Sequence, residues 1–143
     1  MAIAYWRDEY CTGHQQVDQE HQTLFTLVNT LHDAMIQQAD HATLITLLDT
    51  LANHTVQHFQ SEEELMVAAR YPDYARHKQS HDRLKTKVNN LLSQFNCQEI
   101  QISLELTEFL TEWLSHHIKG EDQKMIQFFH TQSPLQSSSM VSV

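Results

Sequence analysis

The stretch LLDTLANHTVQHFQSEEELM, residues 47–66, decides how the chain folds. Leu44, Leu47, Leu48 and Leu51 recur at three- and four-residue steps, and Thr55, His58, Glu62 and Leu65 or Met66 continue the same stripe. That period belongs to an amphipathic helix, so a histidine and a glutamate four residues apart share the face turned toward the core. Of three consecutive glutamates, Glu62 falls inward and Glu64 turns about 200° away, into solvent. Glu63 lies at the flank, where either a salt bridge or a supporting contact to the inner face is open to it.

Three more segments carry the same period. Asp18 is expected to cap a helix with the inner stripe His21, Leu24, Phe25, Val28, Leu31, His32 and Met35. QQADHA interrupts it, and Asp40 can cap the helix containing residues 47–66. YPDY then breaks the pattern, because the residue before Pro72 is disfavoured in a helix. From Pro72 or Asp73 a third helix presents Tyr74, His77, His81, Leu84, Val88 and Leu91. After a turn near Asn96–Glu99, a fourth presents Ile102, Leu106, Phe109 or Leu110, Trp113, Leu114 and His117, with Gly120 as its stop. EDQKMIQFFH is expected to add a further helical turn or two.

Short links between four amphipathic segments predict an all-α fold: an antiparallel up-down-up-down four-helix bundle with an N-terminal arm anchored by Trp6. An irregular all-helical fold is the alternative. Residues 1–131 are read as one bundle domain and residues 132–143, rich in serine, as a flexible tail.

Composition narrows the function. The 143 residues include only two glycines and two prolines, and the formal net charge is -9. Such an acidic chain is a poor partner for nucleic-acid phosphates or an anionic membrane surface, and no segment has the apolar length to insert into a bilayer. Cys11 and Cys97 do not make a disulfide framework, although a bond joining them remains open, and the start lacks the pattern of a secretory signal. The expected compartment is the cytoplasm.

Histidine is the anomaly, with 11 against nine lysines and arginines together. His58 and Glu62 are four apart, as are His77 and His81, so each pair projects from one face. In an up-down bundle the start of helix one, the end of helix two, the start of helix three and the end of helix four meet at one end. His21, His58 with Glu62, His77 with His81, and His117 occupy those four places. One such histidine alone reads as ordinary core, but five buried imidazoles without charged or metal partners would be a costly way to fill a core. The donor set is too large for one tetrahedral zinc and suits iron or manganese better than calcium or magnesium.

Asp122 is the weakest member, because five residues past His117 carries it round an ideal helix unless the chain bends at Gly120. If Glu62 and Asp122 both bridge two octahedral ions, then with five histidines and a bridging oxygen one coordination position stays open. That count suits one small diatomic ligand. Leu24, Phe25, Phe59, Trp113 and Leu114 lie within a turn of these residues and could exclude water, though each also reads as core.

At this point the sequence resembles the hemerythrin family, specifically its single-domain bacterial members. The likeness rests on Trp6, TGHQQVDQEH at 12–21, HFQSEEELM at 58–66, HKQSH at 77–81 and WLSHHIKGED at 113–122, and covers about residues 6–128. It implies a metal-ligand set of His21, His58, Glu62, His77, His81, His117 and Asp122. It also implies two iron ions per chain, bridged by oxo or hydroxo and by the two carboxylates, that bind dioxygen reversibly. His77, His81 and His117 would fill one ion's sites, and His21 and His58 would hold the ion with the open position. The implied role is oxygen storage, transport or delivery by a monomer that is not an enzyme, with an oxygen-using enzyme as candidate recipient. An oxygen, redox or nitric oxide sensor, a diiron oxidase or peroxidase, and a structural bundle with zinc or no metal are the alternatives.

Overall fold

The computed structural model describes residues 3–97 and 103–131. Its four long helices are α1 (Gln15–Ile36), α2 (His41–Ala68), α3 (Tyr74–Asn96) and α4 (Leu104–His117). They form the all-α four-helix bundle that the periodicity predicts. Backbones approach most closely between α1 and α2, α2 and α3, and α1 and α4, while α3 and α4 stand further apart. The predicted stripes face inward: Leu24, Val28, Leu31, Leu48, Leu51, Phe59, Leu84, Val88, Leu110 and Leu114 are buried in one core. Met66 rather than Leu65, and Leu110 rather than Phe109, complete them. Ile102 and the predicted 132–143 tail lie outside the described residues.

Two helix boundaries differ from the sequence reading. Asp18 does not cap α1. The cap and the helix start lie four residues earlier, with His14 Nδ1 accepting from the Val17 amide at 3.3 Å. The Asp18 carboxylate instead accepts from the Thr12 amide and hydroxyl (2.8 and 2.7 Å) and from the Gly13 amide (3.2 Å), stitching the arm to the helix. Gly13, at φ 88°, makes the turn. Gly120 does not stop α4 either. Ile118–Asp122 forms a π turn, closed by the Gln123 amide donating to the Ile118 carbonyl, and residues 123–131 continue as helix.

The predicted starts of α2 and α3 stand, while part of the turn expected near Asn96–Glu99 lies outside the described residues. Asp40 accepts from the Thr43 amide at 2.8 Å, and Asp73 precedes α3. The arm holds by its backbone: Asn29 Oδ1 accepts from the Ile3 and Ala4 amides, both at 2.8 Å, and Asn29 Nδ2 donates to the Ala4 carbonyl at 2.7 Å. Trp6 packs edge-on against Phe25 and beside Tyr10, which anchors the arm as expected.

Both α1 and α2 end in paired backbone bonds around a left-handed residue, Gln38 (φ 60°) and Arg70 (φ 55°). Ala39 N–H donates to Ala34 O and Gln38 N–H to Met35 O. Tyr71 N–H donates to Met66 O and Arg70 N–H to Val67 O. A chain so poor in glycine uses side-chain-bearing residues where glycine is unstrained. Gln38→Gly is therefore expected to stabilise the fold by about 0.5–1 kcal/mol. Gly120→Ala, whose added Cβ meets nothing within 4 Å, is expected to stabilise it by a similar ~0.5–1 kcal/mol. Chemical denaturation of both variants measures this, and a destabilising Gly120→Ala would mean that the π turn needs glycine.

Candidate metal centre

The bundle brings His21, His58, Glu62, His77, His81, His117 and Asp122 together at one end, each at most 5% exposed. They form a polar layer between two apolar ones. Leu24, Phe59, Leu114 and Ile118 belong to the main core on one side. On the other, Val17, Met66, Tyr71, Met125 and Ile126 close the end, the last two supplied by helical segment 123–131.

Within the layer the donor atoms fall into two groups that share both carboxylates: Glu62, His77, His81, His117 and Asp122, and His21, His58, Glu62 and Asp122. Glu62 Oε2 lies 2.9 Å from His58 Nε2 and 3.3 Å from His21 Nε2, whereas its Oε1 lies 3.1 Å from His81 Nε2 and 3.5 Å from His77 Nε2. Asp122 divides likewise, with Oδ2 at 2.8 Å from His21 Nε2, and Oδ1 at 2.9 and 3.1 Å from the Nε2 atoms of His77 and His117. The π turn is what returns Asp122 to the face of His117. The sequence reading looked for a bend at Gly120, and the helix widens there instead.

The protein itself does not satisfy these atoms. His21 Nε2, His58 Nε2 and all four carboxylate oxygens of Glu62 and Asp122 are buried without a well-formed hydrogen bond, as are His21 Nδ1 and His77 Nδ1. A buried polar group left without a partner costs roughly 1–3 kcal/mol, so these nitrogens and carboxylate oxygens depend on positive charge, from protons or metal, between them. Cations set between imidazole nitrogens and carboxylate oxygens would satisfy most of them at once, so the donor set fits a metal.

Contacts behind the layer hold the rings. His58 Nδ1 donates to Glu20 Oε1 at 2.6 Å and His81 Nδ1 to Glu63 Oε2 at 3.0 Å. Carboxylates at this position orient a ligating imidazole and raise its basicity. Glu63 lies at the flank its helix position predicted. Glu20 was missed, although its place beside His21 on a polar edge of α1 was the available signal. Phe59 stacks on His81 (3.8 Å between centroids, 4°) and Trp113 on His117 (4.4 Å, 13°). Phe25 serves the arm instead, lying 5.3 Å from the Tyr10 ring.

Residues 12–129 match the model of the Hemerythrin HHE cation binding domain. The chain belongs to the hemerythrin family. It is 36% identical to the bacteriohemerythrin of Stenotrophomonas maltophilia over 86% of this chain and 79% of that one. With the bacteriohemerythrin of Methylococcus capsulatus the identity is 34%, over 86% and 94%. A crystal structure of wild-type hemerythrin superposes with a TM-score of 0.82 at 33% identity, covering 85% of this chain and 94% of that one. The family match and these relatives support a hemerythrin-type iron-binding protein, and no described helix is long and apolar enough to cross a membrane.

Two histidines outside this layer tie helices together. His32 Nδ1 meets Thr107 Oγ1 at 2.9 Å, joining α1 to α4, and His41 Nε2 meets the Phe95 carbonyl at 2.5 Å, joining the start of α2 to the end of α3. His54 and His116 are exposed. Cys11 and Cys97 are unpaired and exposed.

Burial alone would lower the pKa of His58 and His77, but Glu62 and Asp122 outweigh it, with Glu20 adding to His58. His58 is pushed up to about 10 and His77 to about 9. Burial would raise Glu62, yet the histidines around it hold it well below the ordinary 4.5. In the metal-free chain, the stabilisation from the raised histidines is complete below their ordinary 6.5 and disappears as pH rises toward 9–10. That from Glu62 is present above 4.5 and lost as pH falls through its depressed value. Metal-free protein is therefore expected to melt highest between about pH 4.5 and 6.5 and progressively lower toward pH 10, as calorimetry across that range would show. Metal ligation needs the imidazoles unprotonated, so loading near neutral pH is expected to release protons, measurable in weak buffer. Glu20→Gln and Glu63→Gln should each weaken metal affinity about 10–100-fold, read by chelator competition. Unchanged affinity in both would deny these carboxylates a role.

Proposed function

We propose that the chain binds dioxygen reversibly at a non-haem pair of iron ions, as an oxygen-storing, transporting or delivering protein rather than an enzyme. The observation that carries this reading is the division of the Glu62 and Asp122 oxygens between two imidazole groups of unequal size. His77, His81 and His117 would hold one ion, His21 and His58 the other, and Glu62 and Asp122 would bridge them. With an oxo or hydroxo bridge, the ion that His21 and His58 would hold would have fewer protein donors than its neighbour and would keep a position for a small ligand. The chemistry such a pair supplies when bound is reversible transfer of two electrons to dioxygen.

The chain's own residues favour binding without turnover. Phe59 stacks on the His81 ring and Trp113 on the His117 ring, setting an apolar face against each. In the apolar core next to Trp113 and Leu114 lies a small cavity of about 20 Å³, lined also by Val28, Leu51 and Thr55, whose apolar lining suits an uncharged diatomic gas. A carboxylate-rich Glu-x-x-His set of the kind found in ferritin-like enzymes is absent from this layer among the described residues. A monomer acting in the cytoplasm, with an oxygen-using enzyme as recipient, completes the reading.

Anaerobically reduced protein is expected to be nearly colourless, to gain a visible charge-transfer band in air, and to lose it on deoxygenation. Less than one iron per chain after loading, or a single irreversible oxidation, would overturn the proposal. Glu62→Gln should abolish the paired site, whereas Glu64→Gln, on the exposed face, should keep iron content near that of the parent.

A further inference from the structure

The buried layer is closest to solvent at two places. His58 and His117 remain 3% and 5% exposed, against 0–1% for the other five residues. Each lines its own crevice. One, of about 380 Å³, opens where α3 and α4 stand apart; Ser80, Glu112, Trp113, His116 and Glu121 line it with His117. The other, of about 140 Å³, lies between α1 and α2, where Glu20, His54 and Gln57 line it with His58. The two crevices reach different halves of the centre, and each carries metal-capable side chains outside the seven.

We propose that these crevices are ports through which a divalent cation enters and leaves the centre, one for each half, with His54 in one and Glu112, His116 and Glu121 in the other as transient ligands. The inference rests on the metal-site reading above. A hydrated ferrous ion cannot cross an apolar shell bare, because losing its water without replacement donors is prohibitively costly. Carboxylates and imidazoles at the mouth exchange for water one at a time. His54 stands one helical turn before His58, and His116 is adjacent to His117, so each port residue is beside the donor that receives the ion. A chain of net charge -9 also concentrates cations at its surface. Among the described residues, only the two inner groups bring three or more such atoms within 4.8 Å. The mouths therefore hold an ion weakly, as a passage requires.

A port alters rates and leaves equilibrium alone. His54→Gln and the triple variant Glu112→Gln/His116→Gln/Glu121→Gln are each expected to slow ferrous uptake by metal-free chain about tenfold. Chelator-driven ferrous release from loaded protein should slow by the same factor, with final iron content and visible spectrum unchanged. Rates equal to the parent's in both variants, or lowered iron content at unchanged rates, would overturn the proposal. As an independent readout, Mn(II) titrated into iron-loaded protein should first broaden the imidazole proton resonances of His54 and His116. Uniform broadening over the acidic surface would count against the ports. Normal port kinetics in a protein that shows no reversible oxygen colour would sink the oxygen reading and leave the ports standing.

Discussion

Two carboxylates withdrawn completely from water, each facing imidazoles on both sides, are the constraint on which the rest of this molecule depends. Neither Glu62 nor Asp122 has a well-formed hydrogen bond to either oxygen, and the imidazole nitrogens facing them are satisfied at best by one another. An arrangement of this kind is tolerable only if positive charge occupies the space between the groups. In the metal-free chain protons supply that charge, which is why His58 and His77 hold theirs so far above the ordinary histidine range. With metal, cations would supply it. Proton and metal thus compete for the same nitrogens, and one electrostatic requirement governs stability, metal affinity and their dependence on pH.

The remainder of the fold isolates that layer. Below it, four apolar stripes form the main core. Above it, Val17, Met66 and Tyr71 meet Met125 and Ile126, so continuation of the chain beyond α4 is structural as well as positional. The opposite end of the bundle carries no such array among the described residues. There, single histidines tie helices to one another through Thr107 and the Phe95 carbonyl. Histidine therefore does two jobs in one chain, and burial with converging neighbours separates them. Where the layer does approach solvent, it does so beside side chains that can themselves handle a cation.

Much of this was legible because helix periodicity is local. The stripes of Leu48, Leu51, His58 and Glu62, or of His77, His81, Leu84 and Val88, follow from 3.6 residues per turn and need no knowledge of neighbours. Asp40 was readable as a cap because nothing competes for its side chain. Asp18 was not, since the Thr12 and Gly13 amides of the folded-back arm claim its carboxylate and leave His14 to cap the helix. Gly120 misled for a related reason. Glycine commonly ends helices, but here an extra residue is accommodated by a π turn, and adjacent apolar positions on both sides keep the helix running.

The sequence by itself determined which residues share a face, and short links then determined which helix ends meet. Together these place five histidines and Glu62 at one end of an antiparallel bundle. Tertiary structure alone decided the rest. It widened one turn to bring Asp122 back to His117, divided each carboxylate between two imidazole groups, and set Glu20 behind His58 from a different helix. Those features depend on distances between residues far apart along the chain, and on which partner wins a side chain that several could claim. Local periodicity carries neither kind of information.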